Sequence, residues 1–138
     1  MLINHALNYF FFIFHTAFIF FNTVGWLFTK TRKWNLITLL LTGFSWFVLG
    51  IWHGWGYCPC TDWHWEVRHQ LGYHDMSWSY NQFLILKLTG IDFSVALVNN
   101  VTVVVFFVSL ILSIALNIKD YRRKNTCKEL SQKSDLSC

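Results

Sequence analysis

Long apolar runs dominate the chain, and polar residues interrupt them at helical intervals. The first run covers about residues 7–28 and carries no acid or base except His15. The second covers about 36–57 and is uncharged except for His53; the third, about 93–118, has no charge at all. Each reaches the roughly 20 apolar residues that a helix needs to cross the hydrocarbon core of a bilayer. A fourth stretch, residues 81–88, reads NQFLILKL and contains Lys87. At roughly 1.5 Å of rise per residue it is too short to span, and it predicts an interfacial or re-entrant helix before Gly90. The expected fold class is an all-α membrane helical bundle with three transmembrane helices plus one or two short outer helices. Fusion of 81–88 with the residues before it would instead make a four-helix bundle. The domain reading is one transmembrane unit over 1–118, with an outer loop over 58–92, followed by a basic tail over 119–138.

Each predicted span carries a narrow polar stripe. The first has Asn8, His15 and Asn22; the second has Asn35, Thr38, Thr42 and Ser45, with His53 near the same face; the third has Thr102, Ser109, Ser113 and Asn117. Spacings of three, four and seven place such residues on one side of a helix. In lipid that side turns toward other helices, where hydrogen-bonding and small residues allow close approach. Gly43, Gly50 and Gly54 add a small-residue track, the last two as GxxxG. Packing is the simpler reading of these stripes. A polar pocket is the sharper one, because an ionisable residue inside a membrane is a functional candidate by default. His15, Asn22 and His53 are its candidates.

Composition sharpens the class. Hydrophobic residues make up 54% of the 138 and charged residues 13%, about half the share near 25% typical of soluble domains. That excludes a disordered chain, a collagen-like repeat and a disulfide scaffold, and so small a soluble domain has no means of burying this much apolar surface. The net charge of +4 lies at the ends of the apolar runs, and no nucleic-acid motif accompanies it. The linker after the first run holds Lys30, Arg32 and Lys33, and the tail holds six basic against three acidic residues; the segment between the second and third runs has two basic against four acidic. The positive-inside rule therefore predicts a multi-pass protein of the cell inner membrane, with linker and tail cytoplasmic and with the N-terminus and the 58–92 loop outside. Met1 to Ala6 carry no Lys or Arg, so the first run is expected to remain as a span rather than be cleaved as a signal peptide.

The outer loop is chemically the richest segment: GWGYCPCTDWHWEVRHQLGYHDMSWSY. Thr61 or Asp62 is placed to cap a short helix over about 62–71, ending at Gly72. His64 and Arg68 then share one face and Trp65 and His69 another, and the Trp content suits a helix lying on or dipping into the outer surface. Cys58, Cys60, His64 and His69, with His74 nearby, offer thiolate and imidazole ligands suited to zinc or copper, although C-x-C followed by x3-H is not a common structural-zinc spacing. A Cys58–Cys60 disulfide would close a very small ring across Pro59, which strain disfavours. His15 with His53 is the one intramembrane pair that offers axial ligands to a haem. The candidate ligand or polar-pocket set is thus His15, Asn22, His53, Cys58, Thr61, His64 and Arg68, with no cofactor as the leading expectation. GxSxG, HExxH, P-loop and dinucleotide signatures are all absent, and no catalytic residue is assigned.

At this loop the chain resembles a family of small bacterial membrane proteins, domain of unknown function 2784. The pieces occur in order: His15 to Phe21 in the first run, a basic linker, Cys58-Pro59-Cys60-Thr61, Arg68, Gly72 and Tyr73, and a YxxFL-like stretch from Tyr80 to Leu84. The resemblance covers roughly residues 10–118. It departs at Cys60, where the family usually has an apolar residue, and at His64, where it usually has the Glu that would complete a capping box with Thr61. It implies a bacterial inner-membrane protein and no activity. The functional expectation is a non-catalytic subunit or accessory component of a membrane complex, partnered by the bilayer and by another membrane protein or a second copy. The alternative is a small redox, metal- or haem-binding membrane protein using His15, His53 and the Cys58 loop.

Overall fold

The computed structural model describes residues 1–54, 56–74 and 79–135, with side chains described as far as residue 127. The described chain is all-helical. Helix α1 is Leu2–Val24 and tightens into a 3-10 turn at Gly25–Leu27. Helix α2 is Arg32–Phe44 and continues through a π turn, Ser45–Leu49, into a last turn, Gly50–His53. Two short helices follow, α3 at Pro59–Gln70 and α4 at Tyr80–Thr89, and then α5 at Val95–Asp135. Helices α1, α2 and α5 are long and apolar enough to cross a membrane.

Helix ends follow local chemistry. Gly54, at φ +100°, stops α2 where the chain must turn back; the second span therefore ends at His53, and Tyr57 lies beyond it rather than inside as the hydropathy run suggested. Gly90 takes the left-handed conformation, φ +73°, and its N–H bonds Leu86 O to close α4, as the punctuation before Gly90 predicted. Helix α5 does not break at the end of its apolar run but continues to Asp135.

Polar contacts hold the bundle together. Among the described residues, the buried side chains are Leu39, Val67, Phe83, Leu84, Val98 and Phe106 on the apolar side, against His15, Asn35, His64, Arg68, Ser79, Ser109 and Ser113 on the polar side. Large apolar side chains such as Phe20, Trp34, Ile51 and Ile111 point outward. In lipid that outward surface has no reason to collapse, so close packing and interhelical hydrogen bonds must specify the arrangement. Asn35 Nδ2 donates to Phe21 O (2.8 Å) and Asn22 O (3.3 Å), two carbonyls in the last turn of α1. Asn22 Nδ2 donates to Thr42 (3.1 Å), and Asn117 Nδ2 to Arg32 O (3.1 Å). Arg32 Nη1 pairs with Asp120 at 2.8 Å. At the other end Ser79 donates to Asn99 (2.7 Å) and Asn81 to Thr102 (3.1 Å), seating α4 on α5. The stripes thus face neighbouring helices, except at His53, which is exposed at the end of α2. In the small-residue track, a Cβ on Gly54 would meet nothing within 4 Å, so no close approach is made at Gly54; Gly43, against Phe106, makes one.

Gly25 offers a direct test of this packing. A Cβ there would lie 2.9 Å from Asn35 Nδ2 and 3.2 Å from Asn35 Cβ, and Asn35 is fully buried and pinned by its two bonds. Gly25→Ala should destabilise the protein by about 1–3 kcal/mol, as overpacking does. Thermal unfolding followed by circular dichroism checks this, and an unchanged midpoint would contradict it.

Candidate functional site

Helix α3 stands beside α1 and runs opposite to it. At its start, Cys58 Sγ lies 3.8 Å and Thr61 Oγ1 3.4 Å from His15 Nε2. One to two turns on, His64 Nε2 lies 2.9 Å from Asn8 Oδ1. At its end, Gln70 Oε1 accepts from Asn4 Nδ2 at 3.1 Å. Partners fall from 15 to 8 to 4 along α1 as α3 proceeds. The helix therefore dips alongside α1, with its N-terminus level with His15, about 10 Å along the axis from Asn8.

Its start differs from the capping expectation. Cys58 is the N-cap residue, in extended backbone (φ −137°, ψ 119°), and Pro59 takes the first helical position. Proline suits that position because its missing N–H is one the helix start cannot use. Thr61 and Asp62 are thus inside the first turn, and His64 lies a turn deeper, clear of any capping box. Ser45, at the head of the π turn in α2, donates to Tyr57 O (2.7 Å) and fixes the segment just before Cys58. π turns often mark functional segments.

The hydrogen-bond order around His64 follows from its neighbours. Arg68 Nη1 donates to Asn8 Oδ1 (3.3 Å). A guanidinium has only donors, so the Asn8 atom facing it is the carbonyl oxygen. That oxygen also faces His64 Nε2, which must therefore carry a proton and donate. His64 Nδ1, in the neutral ring, is left as the acceptor for the Tyr80 hydroxyl at 2.5 Å. Both ring nitrogens of a side chain with no exposed surface are thus satisfied. Burial, then the Arg68 charge, then His15 push the His64 pKa down to about 4, so His64 is neutral near pH 7. Burial likewise raises the Tyr80 hydroxyl above its ordinary range.

Aromatic rings enclose this network. Arg68 lies between the Tyr73 and Phe83 rings, 4.6 Å from each centroid, where a desolvated guanidinium is attracted to the ring faces. Tyr80 packs on His15 with centroids 4.4 Å apart, and Trp65 packs edge-on to Tyr80 and Phe83. His15 is 7% exposed, and its Nδ1 has no hydrogen-bond partner among the described residues.

Five of the seven candidates meet here: His15, Cys58, Thr61, His64 and Arg68. The other two do not. Asn22 lies two turns along α1 from His15 and serves Thr42. His53, at the exposed end of α2, stacks on Tyr57 at 4.3 Å and is not paired with His15, so the haem pair is not assembled. Nor are Cys58, Cys60, His64 and His69 gathered as ligands; among the described residues no three His, Cys, Asp or Glu side chains are placed to hold a metal ion. His64 points its nitrogens at Asn8 and Tyr80, while His69 is exposed and meets His74 edge-on at 5.9 Å. Two members of the cluster escaped sequence reading as site residues, Asn8 and Tyr80. Asn8 was visible only as one step of the polar stripe on α1, and Tyr80 only as the first residue of the YxxFL-like stretch.

The family model for DUF2784, a "Protein of Unknown function", matches residues 5–118. The chain belongs to the DUF2784 family. The matched segment includes the whole cluster, from Asn8 to Tyr80, and stops where the apolar part of α5 ends. No curated protein and no solved structure matches the chain. Two features of this DUF2784 member, Cys60 and His64, stand where the resemblance led us to expect an apolar residue and a Glu. Both lie on α3, and His64 is at the centre of the network.

Proposed function

We propose that this protein is a non-catalytic accessory component of a larger membrane assembly, in the cytoplasmic membrane of a bacterium, with α3 on the outer side as the basic residues favour. The supporting observation is that the buried polar groups around His64 are used on one another. Asn8, His64, Tyr80 and Arg68 bind α3 to α1 and α4 instead of converging on an open space. A short helix fixed in this way is a rigid mount. Its far face presents Asp62, Trp63, Glu66 and His69, all exposed, with Trp63 at 62%. Exposed Trp beside charge is the composition of interface anchors.

Native electrophoresis of membranes solubilised in mild detergent tests this reading. We expect the chain to migrate in an assembly well above its own 16.4 kDa, and Trp63→Ala to shift at least half of it to the free form while leaving its helicity unchanged. A lone monomer in both cases would refute the proposal.

A further inference from the structure

The groups at the foot of α3 have chemistry that the His64 network does not use. Cys58 and Cys60 are both half-buried and both reduced. Cys58 is the N-cap of a twelve-residue helix, and its sulfur faces His15 Nε2 at 3.8 Å. Thiols at helix starts and beside imidazoles are the reactive kind. Cys60 is near enough to interact with the Cys58 sulfur; burial, then that neighbour, push the Cys60 thiol up. Three elements build the place: α1 supplies His15, the π turn of α2 holds the Tyr57 carbonyl through Ser45, and α3 supplies both sulfurs. His15 is buried and packed on Tyr80, and its Nδ1 has no hydrogen-bond partner among the described residues, so the polar contacts of this ring are those with Cys58 and Thr61.

We propose that Cys58 and Cys60 form a thiol–disulfide exchange couple that takes an uncharged organic disulfide, with Cys58 as the attacking thiol, His15 as its proton acceptor and Cys60 as the resolving thiol. With His15 as its Nδ1–H tautomer, the Nε2 lone pair takes the Cys58 proton. The Cys58 sulfur attacks one sulfur of R–S–S–R′; that S–S bond breaks, and R′–S⁻ leaves and is protonated. Cys60 then loses its proton and attacks the Cys58 sulfur of the mixed disulfide, releasing R–S⁻, which is protonated in turn. Two protein thiols become one disulfide, and one external disulfide becomes two thiols. The three-residue ring is strained, which argues against a permanent crosslink and for a labile, transferable one. Cys58 stands level with His15, midway along the apolar α1 span Leu2–Leu27, so the co-reactant is expected to be uncharged. A stoichiometric exchange of this kind needs no turnover and is compatible with an accessory role.

The test uses the full chain in nanodiscs with Cys127 and Cys138 changed to Ser, and 2,2′-dithiodipyridine as the probe. The parent should consume one probe molecule, release two pyridinethiones and end 2 Da lighter with no adduct. Cys60→Ser should release one pyridinethione and retain one adduct, on Cys58. His15→Gln should slow the first release by at least about tenfold near pH 7 and flatten its pH profile. 5,5′-Dithiobis(2-nitrobenzoate), equally activated by its leaving group but anionic, should react at least about tenfold more slowly than the probe. Two adducts on the parent, an adduct on Cys60 formed faster than one on Cys58, an unchanged rate in His15→Gln, or equal rates for the two disulfides would each overturn the proposal. The Cys variants read out independently of whether His15→Gln folds.

Discussion

Arg68→Ala should be the most destabilising single substitution in α3, by about 3–4 kcal/mol. Arg68 is 5% exposed, donates to Asn8 at 3.3 Å and lies between two rings at 4.6 Å. A hydrogen bond from a charged donor contributes about 1.5–3 kcal/mol and each desolvated cation–π contact about 1–2 kcal/mol, and contributions that share one side chain do not add in full. The truncation also opens a cavity between Tyr73 and Phe83, where buried contacts are lost. Asn8 Oδ1 would keep His64 as its donor, so the remaining network would survive in weakened form. Arg68→Lys separates the contributions. It keeps the charge but loses the planar guanidinium that stacks between rings while reaching Asn8, and it should cost about half as much. Unfolding by added denaturing detergent, followed by circular dichroism, measures both. Equal stability of Arg68→Ala and the parent would remove Arg68 from the account.

The protein should also lose stability in acid over a definite window. The folded state holds His64 near a pKa of about 4, whereas an unfolded histidine titrates near 6.5. As pH falls below about 6.5 the unfolded chain binds a proton that the folded chain refuses. Stability is therefore complete above that pH, declines down to about pH 4, and falls no further from this cause once both states are protonated. The full effect is on the order of 3 kcal/mol. Protonation would put a donor on Nδ1 toward the Tyr80 hydroxyl and a second positive charge beside Arg68. His64→Gln isolates the effect. Its amide N–H donates toward Asn8 and its carbonyl accepts from Tyr80, so it mimics the neutral ring but does not titrate. Its stability should fall less steeply than the parent's between pH 7 and 4, the remaining fall coming from the other buried histidine, His15. A parent whose unfolding midpoint falls no more steeply with acid than that of His64→Gln would show that His64 is not held neutral.

These effects rest on contacts of different visibility in the chain. The three long helices were legible because a run of about 20 apolar residues has few other homes. The end of α4 was legible because Gly90 is local punctuation. The start of α3 was not, because Thr61 and Asp62 are good caps by type, yet Pro59 at the first helical position moves the start back to Cys58. The pairing of His64 with Arg68 was legible as an i, i+4 face. What that face meets was not. Asn8 is 56 residues from His64, and no local pattern encodes which helix α3 lies against. His53 shows the converse. An ionisable residue in an apolar run attracts attention, but one turn of position decides whether it is inside the bundle or at an exposed helix end. Asn22 shares the stripe of His15 and still works two turns away, since a stripe fixes a face and not a depth.

The central claim is that α3 stands antiparallel beside α1, with its N-terminus at His15 and its C-terminus at Asn4. Pairwise crosslinking tests it most directly, in a chain whose four native cysteines are replaced by serine and which is held in native membranes. Asn4→Cys with Gln70→Cys should be joined by a short thiol crosslinker. Asn4→Cys with Thr61→Cys should not, because nine residues of helix separate Gln70 from Thr61 by about 13 Å. Crosslinking of the second pair in place of the first, or of both equally, would mean that α3 lies flat or runs the other way, and would contradict the account.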